Sequence, residues 1–274
     1  MKIRLEDVTF TYPAGVIALR QVSLAVGTGE TVAIIGQNGA GKTTLAKHFN
    51  GLLKPGQGRV LVGDWDTRQH TVAQLSGRVG YVFQNPDDQL FESTVSAEVA
   101  FGPRNLGHSK AEVDAAVAGA LSRVQLEDVA QMHPYDLHAA QRKRVALAAV
   151  LAMQTPVVVF DEPTTGQDSP GVALIGAIME WLKRDGRTVL AISHDIDFCA
   201  EHFERVVVMG QGQVLADGPA PAVLGQDELL AQTDVQPPQL ARLAAALGLP
   251  GTPLTVDTFL DQLAGQQTGT GESK

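Results

Sequence analysis

The stretch GQNGAGKTT, Gly36 to Thr44, constrains this chain more than any other. It satisfies the pattern G-x-x-x-x-G-K-[ST]. It follows a run that reads as a buried strand, ending VAIIG, and opens a run that reads as a helix, KTTLAKHFNGLL, closed near Gly51. A strand, a glycine turn and a helix N-terminus together make a phosphate cradle. The glycines let backbone amides point at phosphate oxygens, and the helix terminus adds partial positive charge. Gly36, Gln37, Asn38, Gly39, Ala40 and Gly41 supply the loop, with Thr44 following. Lys42 is placed to reach the β and γ phosphates of a nucleotide, and the Thr43 hydroxyl to bind Mg²⁺.

The second motif is PVVVFDEP, a short apolar run ending in acids, which reads as a central parallel strand. Asp161 at its end is placed to hold the Mg²⁺ shell, and Glu162 to polarise an attacking water. A carboxylate at the carboxyl end of such a strand, beside a phosphate loop, lies in the ligand crevice of an α/β sheet. The rest of the chain agrees with that class. KIRLEDVTFTYP, GRVGYVFQNP, RTVLAISHD and RVVVMGQGQVLADG read as strands. SKAEVDAAVAGALSRV reads as a helix with a capping box, Ser109 with Glu112, and an apolar stripe of Val113, Val117, Ala120, Leu121 and Val124. QRKRVALAAVLA and VALIGAIMEWLKRDG read as further helices, the second ended by Gly186. Strands alternating with helices predict an α/β fold with a mainly parallel sheet.

Bulk properties narrow the setting. The formal net charge of −9 argues against a nucleic-acid binder, which meets phosphates with a basic face. The single cysteine, Cys199, allows no internal disulfide and fits a reducing compartment. The N-terminus lacks an apolar signal core, and the longest apolar runs are too short to span a bilayer. A soluble protein is expected, held at any membrane by a partner.

Four further residues give the two motifs a family. Tyr12 in FTYP, Gln84 in VFQNPDDQLF, Asp168 ending TTGQD, and His194 in AISHD occur in the order and spacing of the ATP-binding cassette (ABC) ATPases, which the chain resembles over nearly its whole length. The resemblance implies that Tyr12 stacks on adenine and that Gln84 touches metal and water and leads toward a membrane partner. It implies that Asp168 belongs to the D-loop and that His194 contacts the γ-phosphate. FQNPDDQLFESTVSAEVAFGPRNLG, PTTGQD and PPQLARLAAALGLPGTPLTVDTF resemble the ATPases of energy-coupling-factor (ECF) importers, including the cobalt and nickel uptake ATPases.

That likeness implies a P-loop cassette over residues 1–225, with a mainly parallel sheet, an antiparallel edge sheet and a helical insertion at about 86–155. A C-terminal helical appendage at 226–264 would help two ATPases pair, and residues 265–274 read as a disordered tail. It also implies ATP and Mg²⁺, a second ATPase subunit, a transmembrane coupling subunit and a substrate-binding membrane subunit. The chain would sit peripherally on the cytoplasmic face of the cell membrane. Two rival readings are a non-catalytic regulatory ATP-binding subunit and a soluble cassette protein acting on nucleic acid or ribosomes.

One part departs from the family. Its Leu-Ser-Gly-Gly-Gln signature, which faces the phosphate loop of the other subunit, reads here Leu137, His138, Ala139, Ala140 and Gln141. Serine is a favoured helix N-cap and histidine is not. A hydroxyl donor to phosphate is lost, and alanine fills space that glycine leaves open. A heterodimer of unequal sites is expected. The good one would use this chain's phosphate loop, and the degenerate one its His138, Ala139 and Ala140.

Two other clusters are weaker. His194, Asp195, Asp197, Cys199 and His202 lie close in sequence but match no zinc spacing. Arg142-Lys143-Arg144 reads as a solvated or interfacial face of its helix.

Overall fold

Alternating apolar residues in the first thirty positions build an antiparallel sheet. In the computed structural model, which describes residues 1–269, β1 (Ile3–Thr11) pairs with β2 (Ile17–Val26), Leu5 opposite Leu24. The inward residues Ile3, Leu5, Val8, Leu19, Val22 and Leu24 are all buried. β3 (Thr31–Ile35) leaves for the second sheet, while β4 (Gln57–Val62) and β5 (Trp65–Asp66) return to this one, in the order β2-β1-β4-β5.

The second sheet carries the site. It has the order β10-β9-β3-β8-β7-β6, from β6 (Val79–Val82), β7 (Val157–Asp161), β8 (Thr188–Ile192), β9 (Arg205–Gly210) and β10 (Gln213–Pro219). The five strands from β9 to β6 are parallel, and β10 alone runs antiparallel. Every residue of β3, β6, β7 and β8 is buried, because helices cover one face and α1 with the antiparallel sheet covers the other. The parallel arrangement brings the carboxyl ends of β3, β7 and β8 to one edge, with Gly36, Glu162 and His194 just beyond them.

α1 (Lys42–Phe49) starts at the phosphate loop, and α2 (Val72–Ser76) leads into β6. The helical insertion consists of α3 (Val95–Asn105), α4 (Lys110–Arg123) and α5 (Ala139–Ala152), packed against one another. The expected capping box opens α4. Ser109 Oγ accepts from the Glu112 amide at 3.4 Å, and the Glu112 carboxylate accepts from the Ser109 amide at 2.7 Å. Its predicted stripe from Val113 to Val124 is buried.

α6 (Ser169–Arg184) follows β7 and ends before Gly186, whose φ is +73°. α7 (Ile196–His202), α8 (Ala220–Leu224) and α9 (Asp227–Gln232) complete the main body, since Leu230 and Val235 still belong to its core. α10 (Gln239–Ala246) and α11 (Val256–Gly269) share a small separate core of Ala244, Leu249 and Phe259. Packing therefore changes later than the composition, which shifts after Gly225. α11 also takes in residues 265–269, which the sequence places in a tail; residues 270–274 lie outside the described residues.

Candidate nucleotide site

The phosphate loop takes its shape from two glycines that nothing else could replace. Gly36 has φ +141°, and a β-carbon there would stand 2.1 Å from the Met209 carbonyl oxygen. Gly41 has φ +101°, and its β-carbon would stand 2.6 Å from the Ala18 oxygen. Lys42 is buried, and its ammonium donates to the Gly36 carbonyl at 2.6 Å and the Gln37 carbonyl at 3.0 Å. Burial lowers its pKa, against the opposing pull of Glu162 and Asp161.

Asp161 ends β7 with both carboxylate oxygens engaged. Oδ1 accepts from the Thr43 hydroxyl at 3.2 Å, and Oδ2 from the Tyr81 hydroxyl at 2.7 Å. Burial, then the Asp161 charge, drives the Tyr81 pKa upward, so the phenol stays a neutral donor. The Thr43 hydroxyl and the Asp161 carboxylate, in contact, form a pair of oxygen donors. That pair suits a hard cation such as Mg²⁺.

Glu162 is buried and held at φ +52°, a left-handed conformation unusual for a side chain of this size. Its amide donates to the Ile192 carbonyl at 2.9 Å. Its Oε2 lies 2.6 Å from His194 Nδ1 and accepts from the His194 amide at 3.4 Å. The acid thus has a fixed orientation from a residue on the neighbouring strand end.

The start of the phosphate loop, Gln84, Glu162 and His194 meet on one cleft of about 760 Å³, with Lys42, Thr43 and Asp161 behind its lining. It is lined by Gly36, Gln37, Asn38, Gln84, Glu162 and His194, and on its far side by Asp234 to Pro237 and Arg242 from the C-terminal segment. Tyr12 stands on β1's continuation, its hydroxyl 3.0 Å from Thr44 Oγ1 and its ring edge-on to Phe10. Of the five acidic, thiol and imidazole residues after Ser193, His194, Asp195 and Asp197 line the cleft and the other two do not. Cys199 is buried in the main core with its thiol pKa pushed up by burial, while His202 turns toward Glu180 at 3.9 Å.

Residues 19–165 match the family model described as ABC transporter. The chain belongs to the ABC transporter ATPase family. This cassette is 39% identical over 262 residues to the energy-coupling factor transporter ATP-binding protein EcfA of Methanothermobacter thermautotrophicus, spanning 95% of this chain and 84% of that one. It spans about two-fifths of the length of three longer relatives, at 43%, 42% and 40%. Among solved structures it resembles CbiO1 of Clostridium perfringens, described as part of the ABC transporter complex CbiONQ. The TM-score there is 0.75 at 33% identity, over 90% of this chain and 98% of that one. It also resembles the dimeric ATP-binding cassette MJ0796 in a post-hydrolysis state bound to ADP and Pi. That match has a TM-score of 0.74 at 29% identity, over 80% of this chain and 98% of that one. The expected α/β cassette fold is the observed one, and the cassette is an ATP-binding ATPase by family.

The cassette's signature segment lies elsewhere. His138, Ala139, Ala140 and Gln141 do not line the cleft of their own chain, and neither does Asp168. Asp168 instead caps α6, accepting from the Gly171 amide at 2.9 Å. His138 corrects an expectation. It is the N-cap of α5, its Nδ1 accepting from the Gln141 amide at 3.3 Å. An unprotonated ring nitrogen is an acceptor like a serine oxygen, so the cap survives the substitution and the other nitrogen, Nε2, carries the hydrogen. Ala139 and Ala140 are helical, with no positive φ for a β-carbon to strain.

Within the basic run, read as a solvated or interfacial face, Lys143 departs from solvent. Lys143 is 5% exposed. Its Nζ donates to the Glu162 and Thr165 carbonyls, the second at 3.1 Å. Burial pulls its pKa down to about 8, against Glu162 and Asp161. Arg142 pairs with Asp87 at 3.2 Å, and Arg144 lies 3.9 Å from Asp168. Helical spacing carries a signal for Lys143, because it shares a buried stripe with Ala146, Leu147 and Val150. Tyr81 is signalled by strand register. It pairs with Val159, two residues before Asp161 and so on the same face. Nothing local signals that Gln236 and Arg242 reach the cleft.

Proposed function

We propose that this cassette is the ATP-hydrolysing subunit of an ECF-type importer, driving uptake of a vitamin or a transition-metal ion such as cobalt or nickel through membrane partners. Lys42 and the amides of Gly36 to Thr44 hold the β and γ phosphates, and Tyr12 stacks on the adenine. Thr43, Asp161 and Gln84 hold Mg²⁺, which supplies charge neutralisation on the phosphates. Glu162 takes the proton of the attacking water as its oxygen bonds to the γ-phosphorus and the bond to ADP breaks. His194 orients that carboxylate and contacts the γ-phosphate.

The signature segment completes a site on a second cassette, because its residues stand off their own cleft. Asp168 joins that interface. With His138, Ala139 and Ala140 in the signature, a heterodimer of unequal sites fits best, with α10 and α11 helping the two cassettes stay paired. The exposed Leu243, Leu247, Val256 and Leu260 on these helices supply apolar surface for it.

The observation that carries the membrane role is an apolar groove of about 230 Å³ between the sheet and the helical insertion. Phe91 and Phe101 meet edge-on across 4.7 Å on it and are 61% and 42% exposed. Phe83 and Gln89, on either side of Gln84 in sequence, line it too, and Gln89 donates to the Ala146 carbonyl at 2.7 Å. No helix among the described residues is long and apolar enough to cross a membrane, so a transport role needs such a dock. The cassette would then sit peripherally at the cytoplasmic face, with a coupling subunit in the groove and a substrate-binding membrane subunit choosing the solute.

The test is purification of the tagged chain from solubilised membranes, followed by uptake of labelled cobalt, nickel and vitamins in cells with and without it. Integral membrane proteins should co-purify, and Phe91→Glu with Phe101→Glu should release them while leaving nucleotide binding unchanged. Recovery of ribosomes or nucleic acid instead, with no uptake defect for any solute, would sink the reading.

A further inference from the structure

Lys143 is the one residue of the α5 N-terminal turns whose charge is buried, and the hydrolytic steps above do not use it. It sits five positions after the His138 cap, on the helix that presents the signature segment. Its ammonium reaches from the helical insertion into the turn that follows β7. There it binds the Glu162 and Thr165 carbonyls, in the turn that runs from β7 to Asp168. Both groups belong to backbone that needs holding. Glu162 sits in the left-handed region at φ +52°, a strained conformation that persists only when its surroundings over-determine it. Gln167, in the same turn, donates from its side chain to the Ala140 carbonyl at 3.3 Å, a second tie between the turn and the start of α5.

A buried ammonium costs desolvation unless it is well bonded, so its presence here calls for a gain. The charged groups around it are Asp161 and Glu162 from the end of β7, His194 bonded to Glu162 from the end of β8, and Lys42 from the phosphate loop. On α5 itself Arg142 pairs with Asp87, and Arg144 lies 3.9 Å from Asp168 at the end of the same turn.

We infer that Lys143 is a positioning residue for Glu162: it fixes the main chain from which the acid projects, and ties that main chain to the helix bearing the signature segment. A shift of α5 is thereby transmitted to the hydrolytic carboxylate and to Asp168 together. The substitutions in the signature leave this tie intact, since it springs from the second turn of the helix rather than from its cap. The inference rests on Glu162 being the general base, as proposed above.

The experiment compares wild type, Lys143→Met, Lys143→Arg and Glu162→Gln, each as the full chain with its co-purified partners. ATP hydrolysis, binding of a fluorescent ATP analogue and amide hydrogen exchange of the nucleotide-free protein are read for each. Lys143→Met should lower kcat by roughly ten- to a hundredfold, the scale of a small misplacement of a reacting group. Nucleotide affinity should stay near wild type, and exchange should rise in peptides covering residues 162–168 but not in α1. Lys143→Arg, which restores donors and charge, should recover part of the loss. Should Lys143→Met fail to fold, Lys143→Gln, with two amide hydrogens, takes its place under the same expectations.

Wild-type kcat in the Met variant, or equal losses of affinity and kcat with exchange raised throughout, would overturn the inference while leaving the Glu162 reading standing. If Glu162→Gln hydrolyses ATP like wild type, the Glu162 reading itself fails and takes the inference with it.

Discussion

Replacing Glu162 by Gln is expected to lower ATP turnover by about 10²- to 10⁴-fold, the usual contribution of a positioned general base. Nucleotide binding should be nearly unchanged. The substitution keeps size and one oxygen acceptor, so the contact at 2.6 Å from His194 Nδ1 can persist. What it removes is the capacity to take a proton from water. The backbone at φ +52° and the amide bond to the Ile192 carbonyl are indifferent to the change, so the fold should hold. Steady-state hydrolysis with a parallel nucleotide titration is the measurement. Turnover near wild type would remove Glu162 from the chemistry and leave the rival of a non-catalytic, ATP-trapping subunit as the better account.

Lys42→Ala should act one step earlier, on binding. The buried ammonium is parked on the Gly36 and Gln37 carbonyls at the mouth of the phosphate loop, where an incoming phosphate offers stronger acceptors. Hydrogen bonds to charged groups contribute about 1.5–3 kcal/mol, so affinity for ATP should fall by roughly ten- to a hundredfold. Titration with a fluorescent ATP analogue reads this directly. Adenosine, which lacks phosphates, should bind both proteins alike. An unchanged ATP affinity would mean that the loop does not hold the γ-phosphate side of the nucleotide.

Much of the fold was legible because its signals are local. VAIIG before GQNGAGKTT and VVVF before Asp161 are apolar throughout, which only a strand covered on both faces tolerates, and both became inner strands of the six-stranded sheet. The Ser109–Glu112 box is a short-range hydrogen-bond pattern and appeared as read. The convergence of Gly36, Glu162 and His194 was equally legible, since parallel strands bring their carboxyl ends together whatever lies between them in sequence. Less legible were features decided by tertiary contact. The sequence scale that disfavours histidine as a cap treats the ring as a generic side chain, whereas His138 presents Nδ1 as an acceptor. Composition read Lys143 as part of a solvated or interfacial face, but its place on the buried stripe of α5 and two carbonyls of the turn after β7 took it inward. The approach of Gln236 and Arg242 to the cleft depends on how the C-terminal segment folds back, and no local pattern encodes that.

The central claim is that one sound hydrolytic site, built on this cassette's phosphate loop and Glu162, drives the assembly, while its altered signature serves a lesser site. The measurement that tests it most directly is ATP hydrolysis by the complex in its membrane partners, comparing wild type with the combined His138→Ser, Ala139→Gly and Ala140→Gly variant. The cap is already filled by His138 and the alanines are unstrained, so restoring the family signature should change turnover little. A rise of orders of magnitude would contradict the account, because it would make His138, Ala139 and Ala140 a brake on the site that sets the rate.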